Sequence, residues 1–289
     1  MDPVIVARAE ADAARAAARG RVEVRALHSL DELAEARAIW DAVWPTVPGA
    51  TEITQNLLRA IEHAGGYVGG AYDGDRMIGS CLAIVGRSAG AHGWHTHLHS
   101  HVAAALPGFA DRGVGTALKL HQRAWALEHG IDRVVWTFDP LVRRNARLNL
   151  VKLGGTGVEY LVDFYGVMDD ALNAGDESDR LLLQWDLASD RVADALAGTS
   201  SAETSADWIE RGAVQRLVAT EEGPRLHDVV APHVLVAAPD DIVDVRRFDL
   251  ALAKVWRLQV RAALEPLVSA GARVVSLTTD GSYVVEVSS

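Results

Sequence analysis

Four histidines alternate along one stretch of the chain, and imidazole is the side chain best suited to moving a proton near neutral pH. His95, His97, His99 and His101 occupy every second position. On a β-strand, residues two apart share a face, so all four would line one side of a sheet unless a β-bulge intervened. The spacing is compatible with proton transfer, with metal binding, or with histidines that only pack or face solvent.

Metal binding is the least favoured of these three interpretations. Two histidines at this spacing can bind zinc, but catalytic zinc sites usually add a carboxylate or a cysteine. Residues 93–105 contain no Asp, Glu or Cys, so we expect no metal cofactor. Packing without chemistry is the main alternative for His95 and His97. His99 and His101 lie closer to the glycine loop that follows, which makes them the candidates for chemistry.

The segment after the histidines predicts a strand, a tight loop and a helix. Gly113 and Gly115 fall where the chain turns into a helix that should end near His129, and Thr116 lies in its first turn. Uncovered backbone N–H groups at the positive end of a helix dipole bind phosphate or pyrophosphate. The third glycine of a dinucleotide fingerprint and the Lys-Ser/Thr of a P-loop are both missing, so neither of those motifs is indicated.

The elements that position this loop follow from hydrophobic periodicity. A strand at 22–27, two helical stretches and a hairpin closed by Asp73–Gly74 precede the histidine strand, and helices alternate with strands after it. The order predicts an α/β protein (α+β, mixed sheet) with helices on both faces and a C-terminal α/β extension. We expect an Ala/Arg-rich leader, frayed or disordered, at 1–20, a first domain at 21–190, a linker at 191–206 and the extension at 207–289.

Composition excludes several classes of protein. The 289 residues carry a net charge of −11 and one cysteine, Cys81. Nucleic-acid binding needs clustered positive charge, and a lone cysteine without an internal disulfide fits the cytoplasm. Arg8, Glu10 and Asp12 interrupt any signal-peptide core, and no apolar stretch is long enough to cross a membrane. We expect a cytoplasmic protein that binds neither nucleic acid nor membrane, and a homodimer remains open.

The loop itself resembles a known motif. Ala110-Asp111-Arg112-Gly113-Val114-Gly115 is similar to the Arg/Gln-x-x-Gly-x-Gly/Ala pattern of the GNAT family of acyl-CoA-dependent N-acyltransferases. That family grips the coenzyme A pyrophosphate there, between its fourth strand and third helix. Pro107 also stands where the family often has proline. Ala110 departs from the usual Arg or Gln, but backbone N–H groups form most of the cradle, and Arg112 could supply a charge nearby.

A second stretch, residues 143–155, resembles the fourth helix of the same family. Ala146 and the Lys152–Gly154 ending are in their usual places. Leu150 departs from the pattern, because a tyrosine that serves as general acid often stands there. The resemblance covers roughly residues 22–187.

The resemblance implies where coenzyme A and the reacting groups would lie, with the cofactor across the splayed fourth and fifth strands. His99 or His101 would take a proton from the amine, directly or through water, and Asp139 is the next candidate base. Asp139 is also a candidate helix N-cap, with Pro140 at the first helical position. The implied contacts to the cofactor are the pyrophosphate cradle Asp111, Arg112, Gly113, Val114, Gly115 and Thr116, the pantetheine contacts Asn145 and Asn149, and the backbone near Ala105, which would polarise the thioester carbonyl.

The implied activity is transfer of an acyl group from acyl-CoA, either acetyl-CoA or succinyl-CoA, to the amine of a small molecule. Relatives linked to N-acylation of amino acids, including succinylation, make an amino acid one candidate acceptor. Two alternatives remain open. A GNAT-like module could bind acyl-CoA without turnover, since Ala110 and Leu150 lack the usual side chains. The other alternative is a metalloenzyme built on the histidine cluster.

A basic stripe on the long C-terminal helix has two interpretations. Lys254, Arg257 and Arg261 recur along one helical face, and Glu265 follows one turn beyond Arg261. A surface ion pair is the expected arrangement. The functional alternative is that Arg257 or Arg261 binds a substrate carboxylate.

Overall fold

The computed structural model describes residues 1–44, 53–90, 93–166, 176–199 and 202–287. The chain divides into two compact units, which are Met1–Trp136 with Asp186–Ala188, and Thr137–Trp185 with Ser189–Ser289. The division therefore falls after Trp136, and not in the predicted linker at 191–206.

The first unit contains a sheet in the order β1-β2-β3-β4-β5. All neighbours are antiparallel except β4 and β5, which are parallel. The Asp73–Gly74 hairpin and the helix from Gly113 to His129 are confirmed. The elements are α1 (Pro3–Gly20), β1 (Glu23–Ala26), α2 (Leu30–Val43), α3 (Gln55–His63), β2 (Tyr67–Asp73), β3 (Arg76–Gly90), β4 (Gly93–Ala105), α4 (Val114–Glu128) and the start of β5 (Arg133–Phe138).

Different helices cover the two faces of this sheet, as the sequence predicted. Leu82 of β3 packs into a buried cluster with Leu33 and Trp40 of α2. Gly79, three residues back along the same strand, lies against Val114 and Leu118 of α4. Odd and even positions of a strand face opposite sides, so β3 connects two separate cores.

The N-terminal segment is a packed helix, so the expectation of a frayed or disordered leader is wrong. Helix α1 begins where the Asp2 side chain accepts a hydrogen bond from the Val4 N–H at 2.8 Å, with Pro3 at the first helical position. Asp12 forms a buried ion pair with Arg123 of α4 at 3.0 Å. The sequence alone could not show this pair, because its members are 111 residues apart.

The second unit contains a sheet in the order β7-β6-β11-β12-β10-β8-β9. The pairing of Gly157 on β6 with Val274 on β11 joins the predicted extension to the preceding strands, which explains why no boundary lies near residue 200. Helices occupy most of the predicted linker. The elements are α5 (Arg143–Ala146), a π-helical segment (Arg147–Lys152), β6 (Thr156–Leu161), β7 (Arg180–Asp186), α6 (Asp190–Ala197), α7 (Ser205–Glu210), β8 (Val214–Thr220), β9 (Gly223–Leu226), β10 (His233–Ala237), α8 (Ile242–Phe248), α9 (Leu250–Ser269), β11 (Arg273–Leu277) and β12 (Ser282–Glu286).

Helix α9 buries one apolar face, except for Leu250 at its start, which is 40% exposed. Ala253, Trp256, Val260 and Leu264 are at most 6% exposed. Across the described ranges, no helix is both long enough and apolar enough to span a membrane.

Candidate functional site

The histidine strand β4 contains a β-bulge at His101. Along the β3–β4 ladder, Ala83 pairs with Ser100 and Leu82 pairs with Val102, which leaves His101 as the extra residue. A bulge interrupts the alternation of side chains along a strand. The four histidines therefore do not form one uniform row.

The consequence of the bulge is visible in the residues on either side of it. Ser100 and Val102 would share a face on a regular strand, but here Ser100 accepts a hydrogen bond from Lys119 of α4 at 2.7 Å. Val102 instead packs with the cluster that contains α2. The bulge thus separates His101, which is exposed, from the three histidines before it.

Strands β4 and β5 separate at His99. Their parallel pairing joins Leu98 to Val134 and His99 to Val135, and it includes no later residue of β4 within the described part of the first unit. The imidazole rings of His99 and His101 have centroids 6.2 Å apart at the start of this opening. These are the two histidines that the sequence placed closest to the chemistry.

The backbone of Ala105 faces the same opening. The Leu106 N–H donates to the Ile78 carbonyl at 2.8 Å, on one side of the Gly79–Ala105 pair. In an antiparallel ladder, a pair flanked in this way is of the non-hydrogen-bonded kind, so the Ala105 N–H points away from β3. This orientation is the one that contact with a thioester carbonyl would require.

The environment of His99 favours its neutral form. Burial lowers the pKa of His99, and the positive charges of His101, His97 and Lys119 lower it further. A neutral imidazole can accept a proton at physiological pH, which an imidazolium cannot do. His97 also has a pKa lowered mainly by burial, and His95 Nε2 lies 3.1 Å from Asp132 Oδ1.

The glycine loop presents an open backbone at the start of α4. After a 3₁₀ turn at Ala110–Arg112, Gly113 has a φ of 83° and Val114 begins the helix. No side chain caps this helix, and a Cβ placed on Gly113 or Gly115 would meet no atom within 4 Å. The N–H groups of the first turn are therefore available to an anion.

The Arg112 guanidinium already forms hydrogen bonds within the protein. It donates to Asp73 Oδ2 at 2.7 Å and to the carbonyl oxygens of Gly20 and Arg21 at 3.2 and 3.1 Å. These bonds tie the loop to the end of α1 and to the β2–β3 turn. A phosphate contact through Arg112, which the sequence suggested, would compete with them.

The two predicted asparagines differ in exposure. Asn145 of α5 is exposed, whereas Asn149, in the π-helical segment, is only 4% exposed. Its contact with pantetheine stays a prediction. Leu150, at the position where the family often has tyrosine, is buried at 2% exposure.

Asp139 belongs to a buried ion cluster in the second unit. Its carboxylate accepts hydrogen bonds from Arg257 at 2.8 and 3.0 Å and from Arg246 at 2.8 Å. Burial alone would raise the pKa of Asp139, but the two guanidinium groups outweigh it and lower the pKa to about 2. Asp176 Oδ2 forms ion pairs with the same two arginines, 2.9 Å from a nitrogen of Arg246 and 3.0 Å from one of Arg257.

This environment gives Asp139 a structural role. A carboxylate with so low a pKa is a weak base at neutral pH, and both of its oxygens are occupied. It also does not cap a helix: it accepts the Leu141 N–H at 2.9 Å within a turn, and α5 begins only at Arg143.

The expectation of a surface ion pair on α9 is wrong. Arg257 is 1% exposed and binds Asp139 and Asp176. Arg261 binds Asp179 at 2.6 Å and also pairs with Glu177. Periodicity showed the basic stripe but not its partners, which lie 81 to 118 residues away along the chain.

The described residues contain no group of three or more His, Cys, Asp or Glu side chains arranged to hold a metal ion.

Comparison with known proteins identifies the first part of the chain. Residues 30–154 match the family model described as the acetyltransferase (GNAT) family. The chain contains a GNAT acetyltransferase domain. The matched range begins at α2 and ends at Gly154, so α1 and most of the second unit lie outside it. The match over residues 30–154 supports an acyl-CoA-dependent acyltransferase.

Solved structures of two N-acetyltransferases and of an N-acyl amino acid synthase resemble the chain at low identity. An N-acetyltransferase from Staphylococcus aureus Mu50 is 14% identical, with 58% of this chain and 99% of that one covered and a TM-score of 0.41. FeeM, an N-acyl amino acid synthase from uncultured soil microbes, is 16% identical, with 57% and 91% covered and a TM-score of 0.42. The Escherichia coli ribosomal-protein-S18-alanine N-acetyltransferase is 11% identical, with 57% and 94% covered and a TM-score of 0.44. Similarity at this level does not indicate a substrate. No curated protein matches the chain.

Proposed function

We propose that the protein transfers an acetyl or succinyl group from acyl-CoA to the amine of a small molecule, an amino acid being one candidate acceptor. The observation that supports this most directly is the position of His99. Its half-buried ring, with a lowered pKa, stands at the last pairing between β4 and β5. The same strand leads from there to the open N-terminus of α4.

The coenzyme A pyrophosphate would bind the first turn of α4 through backbone N–H groups of residues 111–116. The Ala105 N–H would polarise the thioester carbonyl, as donors of an oxyanion hole do. Asn145 and Asn149 keep the pantetheine contacts that the family resemblance implies.

The reaction is a direct displacement at the thioester. The ammonium acceptor gives a proton to His99, or to His101, directly or through water. The free amine then attacks the carbonyl carbon, a C–N bond forms, the C–S bond breaks, and the new amide nitrogen releases its remaining excess proton to solvent. Since Leu150 stands where a tyrosine acid is common, we propose that solvent protonates the departing thiolate.

A turnover assay distinguishes this proposed enzyme from a module that binds acyl-CoA without reaction. Purified protein is mixed with acetyl-CoA or succinyl-CoA and a panel of amines that includes amino acids, and both free thiol and product mass are followed. Thiol release that depends on the amine, with a matching acylated product, is expected. Tight binding of acyl-CoA without any turnover across the panel would instead support the non-catalytic alternative.

Replacing Gly115 with valine should weaken coenzyme A binding at least tenfold, which is about 1.4 kcal/mol. The added side chain would stand between the helix backbone and the pyrophosphate, while meeting no protein atom near its Cβ. Calorimetric titration measures the effect, and Gly115→Ala, which adds a single methyl group, should fall between the parent and the valine variant. An unchanged dissociation constant in folded Gly115→Val protein would disprove the cradle.

Exhaustive chelation should leave the activity intact, because the proposed chemistry uses only imidazole and backbone N–H groups. The rate is measured before and after dialysis against EDTA, with elemental analysis of the dialysed protein as control. If activity disappears and stoichiometric zinc restores it, the histidine-cluster metalloenzyme becomes the better interpretation.

A further inference from the structure

A cavity outside the proposed acyl-transfer site lies within the first unit, where α1, β1 and α4 meet. Its volume is about 430 Å³, within the usual range of sites that bind small molecules. Five of its lining residues are alanines, whose small side chains leave the space between the three elements open. They are Ala13, Ala14 and Ala17 of α1, Ala26 of β1 and Ala124 of α4.

This cavity is not part of the coenzyme A cradle. It meets α4 from His121 onward, whereas the cradle lies before Val114, the first residue of that helix. The family match begins at residue 30, and the two other elements of the wall, α1 and β1, end before it, at Gly20 and Ala26. The cavity is therefore a second location for a ligand, built partly from chain that the family model does not include.

An aromatic ring in a fixed position forms part of the wall. Trp125 lines the cavity, and its ring stacks on that of His129 with centroids 3.9 Å apart and an interplanar angle of 19°. Its centroid also lies 5.1 Å from that of Tyr67. A ring that is already held in place loses little freedom when a ligand binds against it. Together with the alanines, it suits an aromatic or aliphatic group.

His121 supplies a hydrogen-bond donor to this apolar surface. Its ring lines the cavity, and its Nδ1 lies 2.7 Å from the hydroxyl oxygen of Tyr67. Tyr67 is 1% exposed, and its hydroxyl also interacts with the thiol of Cys81, a weak acceptor. The phenol proton therefore goes to His121 Nδ1. Because burial lowers the pKa of His121, the ring is neutral at pH 7 and carries its own proton on Nε2.

The charges around the cavity disfavour an ionic ligand. Glu10 and Glu128 are exposed lining residues and would repel an anion. Arg25 also lines the cavity, but its guanidinium is already paired with Glu32. An ammonium group has no lone pair with which to accept the proton of His121 Nε2. A neutral carbonyl oxygen satisfies both conditions, since it carries no charge and accepts a hydrogen bond.

We propose that this cavity binds an uncharged small molecule with an aryl or alkyl body and a carbonyl oxygen. The body lies against the Trp125 ring and the alanines, and the carbonyl oxygen accepts a hydrogen bond from His121 Nε2. This binding does not depend on the proposed acyl transfer, because neither His99 nor the glycine loop lines the cavity.

Benzamide, benzoate and benzylamine test the class of ligand, because they share a phenyl ring and differ in charge. NMR titration of the full-length protein follows the His121 ring and the Trp125 indole. Benzamide should shift both signals in a saturable way, and the two ions should bind roughly tenfold more weakly, since each leaves a donor or a charge unsatisfied. No shift with benzamide, or tighter binding of either ion, would overturn the proposal.

Ala17→Phe and Ala18→Phe are a matched pair on α1. Ala17 lines the cavity, whereas the neighbouring Ala18 is exposed outside it. Ala17→Phe fills the space and should weaken benzamide binding roughly tenfold, and Ala18→Phe should stay within about twofold of the parent. Ala14→Phe, at an exposed lining position, provides a second variant if Ala17→Phe does not fold. Parental affinity in both lining variants would mean that benzamide binds elsewhere and would contradict the proposal.

The donor is tested separately. Nitrogen NMR of the parent should show the neutral His121 ring protonated on Nε2. Tyr67→Phe removes the phenol and keeps the imidazole, so benzamide affinity should stay close to parental. Adding His121→Phe to that variant removes the donor without leaving a phenol unpaired, and the affinity should fall roughly tenfold. A parent ring protonated on Nδ1, or equal affinity in the single and double variants, would show that His121 is not the donor.

Discussion

Replacing His99 with alanine should lower kcat by about 10² to 10⁴, the usual contribution of a single general base. The coenzyme A affinity should change little, since the first turn of α4 is a separate part of the first unit. Steady-state kinetics with acyl-CoA and an accepted amine measure the first quantity, and calorimetry measures the second.

The pH dependence of the parent enzyme's rate tests whether His99 is the general base. The rate should fall as pH drops through the pKa of His99, because the protonated ring cannot accept the proton of the amine. Burial and neighbouring charge lower that pKa, so the acidic limb should lie below about 6.5, the ordinary value for histidine. The limb should disappear in the variant that lacks the base.

Three further alanine variants are the controls. His101→Ala reports on the alternative base at the bulge, whereas His95→Ala and His97→Ala remove rings that lie before the strands separate and should resemble mild packing changes. If His99→Ala and His101→Ala both keep near-parental kcat, neither histidine is the base.

The buried ion cluster should dominate the stability of the second unit. Asp139→Asn removes a charge that faces Arg246 and Arg257, all at most 8% exposed. Removing this charge leaves two buried arginines with Asp176 as the carboxylate that still pairs with both, and the expected loss is about 3 to 5 kcal/mol in the free energy of unfolding. Chemical denaturation with circular dichroism measures it, provided that the transition of this unit is resolved.

Acid should act on the same cluster. The pKa of Asp139 is about 2 in the folded protein, below the value of about 3.9 for an unfolded chain. A lowered folded-state pKa contributes stability that is present above about pH 4 and is lost as pH falls towards 2. The parent should therefore lose stability through that window, and Asp139→Asn should lack this component of the loss.

Arg225→Met is the control for charge removal in general. Arg225 and Glu222 form an exposed pair at 3.5 Å, with 63% and 87% of their side chains exposed. Solvent screens such pairs, so the expected change is below about 1 kcal/mol. A loss for Asp139→Asn as small as this control would show that the cluster does not hold the unit together.

Local sequence features predicted the elements around the site. The start and end of α4 follow from Gly113 and from the apolar spacing along the helix. The hairpin at Asp73–Gly74 and the buried stripe of α9 follow from turn chemistry and periodicity in the same way. These features depend on residues within a few positions of one another, which is why sequence reasoning could reach them.

Other features of the site could not be predicted from the sequence. The spacing of the histidines allowed a bulge but did not place one, because the register of β4 depends on its pairing with β3. Lys119 was one polar residue on a predicted helix, and nothing near it in sequence indicated that Ser100 or Trp136 would enclose its ammonium.

The sequence by itself determined the order of helices and strands, the glycine loop before α4 and the resemblance to the GNAT family. The tertiary structure alone decided how the charges pair. Arg257 is buried in ion pairs with Asp139 and Asp176 and does not lie at the surface, and Arg112 forms an ion pair with Asp73. The physical reason is the separation along the chain. Local conformational preferences act over a few residues, whereas ion-pair partners dozens of residues apart meet only when the packing of whole elements brings them together.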